Sequence, residues 1–178
     1  MENSFAKYPS LYGKNILITG GASGIGKELV KGFAEQGANV AFLDLNYEAG
    51  EQLSLDIGKN VFFQKCDLTE IDDLKSSIEK LRSQIGLFDV LVNNAAHDDR
   101  HNWKEVTEDY WDDRFATNLR HQFFTIQSVA KDMIQKGGGS IVNIGSNSWM
   151  EAVGNFPAYA TAKSAVHGLT RTLARDLG

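Results

Sequence analysis

The chain has 178 residues, and its 18 lysines and arginines against 23 aspartates and glutamates give a formal net charge of −5. Hydrophobic residues make up 42% of the sequence and charged residues 23%, which is typical of a globular domain with a sizeable core. The acidic balance and the lack of a basic stripe argue against nucleic-acid binding, and no apolar run approaches the ~20 residues that cross a bilayer. We expect a single domain over residues 1–178.

Signs of targeting or redox chemistry are few. The segment 1–4 shows no cationic region followed by an apolar one, so no signal peptide is predicted. Cys66 is the single cysteine and cannot form a disulfide within the chain, which fits a reducing compartment. We therefore expect a cytoplasmic protein without a membrane partner.

Residues 1–13 are predicted to form a polar arm ahead of the first strand. Beyond the arm, short apolar runs predict five buried strands, at residues 15–19, 40–43, 61–63, 90–92 and 140–144. Apolar residues at helical spacing predict helices between and after them, at residues 24–36, 47–57, 70–84, 115–133 and 158–177. The fourth of these is expected to be a single long helix that ends at the glycines 137–139.

Strands that alternate with helices and are apolar on both faces predict a parallel sheet covered on both sides. Right-handed crossovers then give an α/β fold with a doubly wound parallel sheet of the Rossmann type. Ligands of such sheets bind beyond the carboxyl ends of the strands. Nearly every polar cluster of this sequence follows a predicted strand, so we expect the functional site at that edge of the sheet.

A glycine-rich loop, Thr19–Gly26, joins the first predicted strand to the first predicted helix. Glycines let the backbone turn tightly and approach a pyrophosphate, while the helix N-terminus presents free N–H groups and the positive end of its dipole. A strand before the loop, a helix after it and an acid beyond are the context that supports a phosphate-binding loop.

Asp44 supplies that acid, eighteen residues after Gly26 and at the end of the second predicted strand. A carboxylate in this place can accept hydrogen bonds from a ribose 2′-hydroxyl and would repel a 2′-phosphate. The sequence therefore predicts NAD as the cofactor in preference to NADP. The alternative is that Asp44 caps the next helix.

Tyr159 and Lys163 are four residues apart in the last predicted helix, so they lie on one face of it. A cation held near a phenol favours the phenolate. Together the two side chains form a group that can take or give a proton near neutral pH. Such a pair also occurs on helices by chance, so its assignment depends on the residues that accompany it.

The glycine pattern Gly-x-x-x-Gly-x-Gly resembles that of the short-chain dehydrogenase/reductase family, and later motifs agree with it in order. They are Asp67-Leu68, Asn93-Asn94-Ala95, Asn118, Ser146, and Tyr159 with Lys163. The resemblance runs from about Lys14 to the last residue. It implies an oxidoreductase that transfers a hydride between a hydroxyl group and a nicotinamide cofactor.

The resemblance implies a role for each matching catalytic residue. Tyr159 would be the general acid/base, and Lys163 would promote its ionisation and hydrogen-bond the nicotinamide ribose. Ser146 would orient the substrate oxygen, and Asn118 would hold a water in a proton relay with the lysine. Ser148 competes with Ser146 for the serine role, but its spacing to Tyr159 does not match.

The resemblance also implies a dinucleotide site along the strand ends. The residues expected to bind the cofactor are Gly20, Ser23, Gly24, Ile25, Gly26, Asp44, Asp67, Leu68, Asn94, Ala95, Tyr159 and Lys163. Among them, Asp67 would contact the adenine, and Asn94 with Ala95 would line the adenosine side of the site.

Less common residues of the chain resemble the branch of this family that oxidises aldose sugars at C1, such as the xylose, arabinose and rhamnose dehydrogenases. They are the polar loop 97–101, Trp103, and the segments 110–112 and 118–124. A polar loop suits a polyhydroxylated substrate, because each buried hydroxyl needs a partner. This branch implies oxidation of an aldose by NAD to an aldonolactone.

Two features near the expected active site concern the substrate and a possible ion. Asn147 and Trp149, beside Ser146, would offer the substrate a hydrogen bond and a stacking face. His97 and His101, with two aspartates between them, raise the alternative of a metal site. We expect a solvated, salt-bridged loop instead, and no metal.

Members of the family usually continue past the tyrosine helix with a sixth strand, a helical substrate lid and a seventh strand. This sequence stops at Gly178, so we expect an exposed apolar edge at the fifth strand and an incomplete substrate pocket, in a fragment, a truncated product or a chain that needs a partner. A homo-oligomer, dimer or tetramer, is implied for the complete protein. Two alternatives stay open: a dehydrogenase for another alcohol or ketone, and a non-catalytic NAD-binding module.

Overall fold

A computed structural model describes residues 6–178, so the first five residues of the expected arm lie outside the described part of the chain. The remainder of the arm forms a short 3-10 turn at Pro9–Leu11. The N–H of Gly13 then donates to the carbonyl of Gly37 at 2.9 Å. The arm is thereby anchored beside the C-terminal end of the first helix.

The strands are β1 Asn15–Thr19, β2 Asn39–Asp44, β3 Val61–Lys65, β4 Val90–Asn93 and β5 Ser140–Asn143. They form one sheet in the order β3-β2-β1-β4-β5, and every neighbouring pair is parallel. This confirms the predicted doubly wound parallel sheet. Thr19 at the end of β1 pairs with Leu43 on one side and with Asn93 on the other. The carboxyl ends of the central strands are therefore level at one edge of the sheet.

The helices are α1 Gly24–Glu35, α2 Tyr47–Ile57, α3 Ile71–Ile85, α4 Glu108–Phe115, α5 His121–Lys136 and α6 Pro157–Leu177. Most bounds agree with the sequence prediction to within one or two residues. The exception is the predicted single helix over residues 115–133. In the structure α5 begins only at His121, and a π-helical turn at Ala116–Arg120 joins it to α4, a helix that was not predicted from the sequence. A π turn holds one extra residue and often marks a functional site, and periodicity of apolar residues does not reveal it.

The two faces of the sheet carry separate apolar clusters. Leu17 of β1 faces α3 and α5, whereas its neighbours Ile16 and Ile18 face α1 and α2. Successive side chains of a strand point to opposite faces, and all three of these side chains are fully buried. The sheet is thus covered on both sides, and its strand ends are held on a rigid base.

β5 lies at one end of the sheet and is less covered than the inner strands. Val142, in the middle of this strand, is 45% exposed, which confirms the expected apolar edge. Within residues 6–178, no helix is both long enough and apolar enough to span a bilayer.

Candidate active site

A cleft of about 750 Å³ opens beyond the carboxyl ends of the strands, within the range of small-molecule sites. Every residue predicted to bind the cofactor lines it, namely Gly20, Ser23, Gly24, Ile25, Gly26, Asp44, Asp67, Leu68, Asn94, Ala95, Tyr159 and Lys163. The other two predicted catalytic residues, Ser146 and Asn118, are not among the residues that line the cleft. The structure thus brings the phosphate loop, the acid and the tyrosine–lysine pair to one opening.

The glycine loop at the start of α1 leaves no room for a side chain at Gly26. A Cβ atom added to Gly26 would lie 1.8 Å from the carbonyl oxygen of Gly20. Gly20 and Gly24 have positive φ values of 68° and 52°, which glycine adopts at low cost. No atom lies within 4 Å of a Cβ added to Gly24. The loop therefore presents open space at a helix N-terminus, where a phosphate group fits.

Asn94, just after β4, holds the phosphate loop in place. Its Nδ2 donates to the carbonyl oxygens of Thr19 and Gly20, at 3.1 and 3.0 Å. In return the Thr19 hydroxyl oxygen accepts the backbone N–H groups of Asn94 and Ala95, at 3.0 and 3.1 Å. The end of β4 and the end of β1 are thus locked together, and this fixes the curvature of the loop.

The Asp44 carboxylate is oriented by backbone N–H groups at the rim of the cleft. One oxygen accepts the N–H of Ala22 and the other accepts the N–H of Asn46, both at 2.9 Å. A carboxylate has roughly four acceptor positions, so acceptor capacity remains for a ligand. The cap of α2 is Asn46, whose side chain accepts the N–H of Ala49 at 3.1 Å. Asp44 itself is therefore not the helix cap that the alternative required.

Asp67 follows β3 and lines the same cleft. One of its carboxylate oxygens accepts the backbone N–H of Thr69 at 2.9 Å and the Thr69 hydroxyl at 2.7 Å. The carboxylate is thereby fixed by the turn that leads into α3.

Lys163 is almost fully buried beneath the cleft, with 1% of its surface exposed. Its Nζ donates to the carbonyl of Ile144 at 2.7 Å and lies 5.8 Å from the centre of the Tyr159 ring. Burial lowers the pKa of Lys163 to about 8, and the negative charge of Asp98 opposes that shift. An ammonium group has three donors, so two remain for Tyr159 or a ligand.

Ser146 and Ser148 form a pair after β5. The Ser146 hydroxyl donates to the Ser148 hydroxyl at 2.9 Å, and the Ser146 oxygen accepts the backbone N–H of Ser148 at 3.2 Å. Ser148 is buried, and Ser146 is half-buried. Ser148, the alternative candidate for the serine role, therefore holds the Ser146 hydroxyl in place.

Asn118 lies in the π turn and is fully buried. Its side-chain oxygen accepts the N–H of His97 at 2.8 Å. Its Nδ2 donates to the carbonyls of His97 and Arg114, at 3.1 and 2.9 Å. Both amide donors are thus occupied, and Asn118 clamps the loop after β4 onto the helix.

His121, one turn beyond Asn118, is fully buried, and neither ring nitrogen makes a regular hydrogen bond. Burial lowers its pKa to about 4; the carbonyls of Ala116 and Thr117 oppose the shift, and the charge of Lys163 adds to it. Sequence reasoning assigned His121 no role. The only hint of its burial in the sequence was that this polar residue occupies a core-facing position of the helix.

Several cleft residues were not predicted from the sequence. They include Thr69, Asp113, Arg114 and Thr117. Asp113 and Arg114 lie four and three residues before Thr117, and this helical spacing was the available signal. Arg114 is 8% exposed, pairs with Asp113 and lies 5.0 Å from the centre of the Tyr110 ring.

The two histidines of the loop after β4 face different partners. His97 Nε2 contacts an Asp99 carboxylate oxygen at 2.6 Å, whereas His101 Nδ1 contacts the Tyr110 hydroxyl at 2.9 Å. Among the described residues, no three His, Cys, Asp or Glu side chains are placed to hold one ion.

The two residues expected to contact substrate do not line the cleft. Asn147 donates to the Glu151 carboxylate at 2.6 Å. The Trp149 ring stacks on His167 with 6.2 Å between ring centres. Neither residue is among those around Tyr159 and Lys163.

A phosphate loop, a strand-end acid and a tyrosine–lysine pair on one parallel sheet define an oxidoreductase of the dinucleotide-binding class. The family model described as short chain dehydrogenase matches residues 14–178. The chain belongs to this family, for which dependence on NAD or NADP is typical.

Two curated relatives are named for sugars. The chain is 46% identical over 178 residues to a D-xylose 1-dehydrogenase of Caulobacter vibrioides, covering 98% of this chain and 70% of the relative. It is 42% identical over 177 residues to a probable galactose dehydrogenase of Rhizobium meliloti, covering 97% of this chain and 69% of the relative. The chain thus spans about 70% of the length of these relatives.

A solved structure agrees with this relationship. The ligand-free aldohexose dehydrogenase of Thermoplasma acidophilum superposes with a TM-score of 0.85 at 29% sequence identity. The match covers 95% of this chain and 63% of that structure.

Proposed function

We propose that the chain carries the cofactor site and the proton-transfer residues of an NAD-dependent aldose 1-dehydrogenase. The observation that carries this proposal is that Asp44 and the Tyr159–Lys163 pair line one cleft. The two relatives named for xylose and galactose support a sugar as the substrate. The reaction is oxidation of the C1 hydroxyl of an aldose to an aldonolactone.

We expect a dinucleotide to bind in this cleft, along the carboxyl ends of the strands. The N–H groups at the start of α1 would hold the pyrophosphate, and Asp44 would accept hydrogen bonds from the adenosine ribose. Lys163 would bind the nicotinamide ribose. When bound, the nicotinamide ring supplies the hydride acceptor.

The residues of the chain handle the proton of this reaction. Tyr159, as the phenolate, accepts the proton of the C1 hydroxyl. Ser146 is proposed to hydrogen-bond the same substrate oxygen, for which its hydroxyl must turn away from Ser148. The Lys163 ammonium stabilises the phenolate, and its bond to the Ile144 carbonyl fixes its position. Burial lowers the pKa of Lys163 only to about 8, which is above neutral pH, so its ammonium group is mostly charged there.

The Asp98 carboxylate, which lines the cleft, favours a polyhydroxylated substrate. Asp98 lines the cleft together with Tyr159, and its charge acts on Lys163. Among the interactions of residues 6–178, the Asp98 carboxylate has no hydrogen-bond or ion-pair partner of its own. A free carboxylate beside the reacting group is a ready acceptor for sugar hydroxyls.

Turnover of a panel of aldoses with NAD, followed by NADH absorbance, tests this proposal. Tyr159→Phe should reduce kcat by at least about a hundredfold, since general acid–base catalysis contributes roughly 10²–10⁴-fold. Binding of NAD, measured by calorimetry, should change little, because the ring and its packing remain.

The outcomes of this experiment separate the alternatives. Turnover of a cyclic alcohol with no turnover of any aldose would identify a dehydrogenase for another alcohol. NAD binding without turnover of any substrate would identify a non-catalytic binding module. Full activity of Tyr159→Phe would remove Tyr159 from its assigned role.

Replacement of Asp44 tests the proposed preference for NAD. Asp44→Ala should lower the ratio of NAD to NADP affinity by at least about tenfold, because the repulsion of a 2′-phosphate and the ribose hydrogen bonds are lost together. Asp67→Ala is the control, since Asp67 lines the same cleft after β3 and its expected contact, the adenine, is common to both cofactors. It should leave the ratio as in the wild type. An unchanged ratio in Asp44→Ala would contradict the ribose contact.

A further inference from the structure

The catalytic helix α6 begins without a cap of its own. Its N-cap residue is Phe156, which has no side-chain acceptor and makes no capping hydrogen bond. Pro157 takes the first helical position, so Ala158 is the second and Tyr159 the third. The N–H groups of these two positions are the ones that an N-cap side chain normally satisfies.

A residue from another part of the fold reaches this helix end. The Ala158 N–H donates to Nε2 of His101, which lies in the loop after β4, at 3.4 Å. The backbone N–H of His101 donates to the carbonyl of Asn155 at 2.7 Å. His101 therefore contacts the start of α6 through both its ring and its backbone.

The other contacts of the His101 ring fix which nitrogen can accept. Nδ1 lies 3.0 Å from the carbonyl oxygen of Asp99 and 2.9 Å from the Tyr110 hydroxyl. A carbonyl oxygen can only accept, so Nδ1 carries the hydrogen. Nε2 of the neutral ring is then a free acceptor, which matches the direction of the Ala158 N–H.

The same loop also packs against the ring next to Tyr159. The Arg100 guanidinium lies 3.9 Å from the centre of the Phe156 ring and donates to the carbonyl of Gly154 at 3.0 Å. The Phe156 ring stacks on the Tyr159 ring, with 5.3 Å between centres and 20° between planes. The position of Tyr159 thus depends on the loop 97–101 through the backbone and through the stacked rings.

We propose that His101 is a positioning residue for Tyr159, which supplies from the loop after β4 the acceptor that the first turn of α6 lacks. The assignment of Tyr159 as the proton acceptor rests on the proposed function. The capping contact itself can be tested without any turnover.

Two substitutions of His101 separate the acceptor from the ring. His101→Phe keeps a planar ring and removes both nitrogens, whereas His101→Gln places an amide oxygen near the position of Nε2. Amide hydrogen exchange of Ala158, measured by NMR, reports the cap. NAD affinity by calorimetry and kcat with an aldose report the site. His167→Phe, an exposed histidine of the same helix, is the control.

In His101→Phe the Ala158 amide should exchange at least about tenfold faster. Its kcat should fall by roughly tenfold or more, because small displacements of a reacting group are costly, while NAD affinity stays within about threefold. His101→Gln should restore both the exchange protection and kcat for the most part. His167→Phe should match the wild type in all three measurements.

Unchanged Ala158 exchange in His101→Phe would overturn the proposal, as would a His101→Gln variant that behaves like His101→Phe. A fall in NAD affinity equal to the fall in kcat would show general unfolding of the site instead of a positioning role. If the wild type turns over no substrate, the proposed function fails, and the exchange measurement still decides whether His101 caps α6.

Discussion

At the scale of single residues, burial sets the ionisation of two side chains around the active site. Lys163 and His121 are both almost fully buried, and burial lowers the pKa of the first to about 8 and of the second to about 4. Lys163 therefore stays mostly charged at neutral pH and His121 stays neutral. A charged lysine can stabilise a phenolate, and a neutral His121 adds no positive charge that would repel the Lys163 ammonium.

The buried histidine should make the protein sensitive to acid. The unfolded chain binds a proton at His121 below a pH of about 6.5, but the folded chain does so only near pH 4. The unfolding free energy should therefore fall as the pH decreases from 6.5 to 4, by up to about 3 kcal/mol from this residue. His121→Leu should remove that part of the pH dependence in urea unfolding.

The exposed His167 provides the matched comparison. His167→Leu should leave the difference in unfolding free energy between pH 7 and pH 4.5 as it is in the wild type. Equal pH dependence in His121→Leu and the wild type would contradict a buried neutral histidine.

At the scale of elements, α1 needs a glycine in its first turn, at Gly26, but not in its middle, at Gly32. Gly26→Ala should abolish dinucleotide binding and destabilise the fold, because the new Cβ atom would lie 1.8 Å from a backbone oxygen. Gly32→Ala, in the same helix, should stabilise the protein by about 0.5–1 kcal/mol, since its Cβ meets nothing within 4 Å. Thermal unfolding with and without NAD measures both effects. Tolerance of Gly26→Ala would mean that the loop can rearrange.

The elements themselves were largely predictable, and the reasons are physical. Buried parallel strands are apolar throughout and helices repeat every 3.6 residues, so the strands and most of the helices were found within one or two residues. The helix α4 was not predicted, and α5 begins later than expected. The π turn at Ala116–Arg120 was not predicted. It lies where the Asn118 side chain bonds to the backbone of His97, a contact between distant segments that no local pattern records.

At the scale of the whole molecule, the site also contains residues that local sequence patterns predict and residues that depend on contacts between distant segments. Residues directly at strand ends, such as Asp44 and Asn94, could be placed from the sequence because parallel strands end at one edge of the sheet. The loop 97–101 was expected beside the site, but which of its residues lines the cleft depends on the path of that loop. The position of Arg114 could not be predicted, since it depends on the π turn. Ser146 was matched by spacing, yet it lies beside Ser148 and not in the cleft wall.

The exposed strand β5 should govern how copies of this chain associate. Val142 is 45% exposed on this edge strand, and a lysine on an edge strand discourages pairing with another chain. Val142→Lys should therefore reduce light scattering at high protein concentration. Gln64→Lys adds the same charge to β3 at the opposite edge and should reduce scattering less. An equal effect of both substitutions would indicate that net charge alone matters.

The central position of β1 also determines when the sheet can be completed during synthesis of the chain. A ribosome releases the chain from its N-terminus, so β1, β2 and β3 can pair while one side of β1 still has no neighbour. That side of β1 can pair only after β4 has been synthesised. The carbonyls of Thr19 and Gly20 likewise accept hydrogen bonds from Asn94 only after that point. Until residues 66–93 have been translated, β1 therefore lacks the neighbour that it has on one side in the folded sheet.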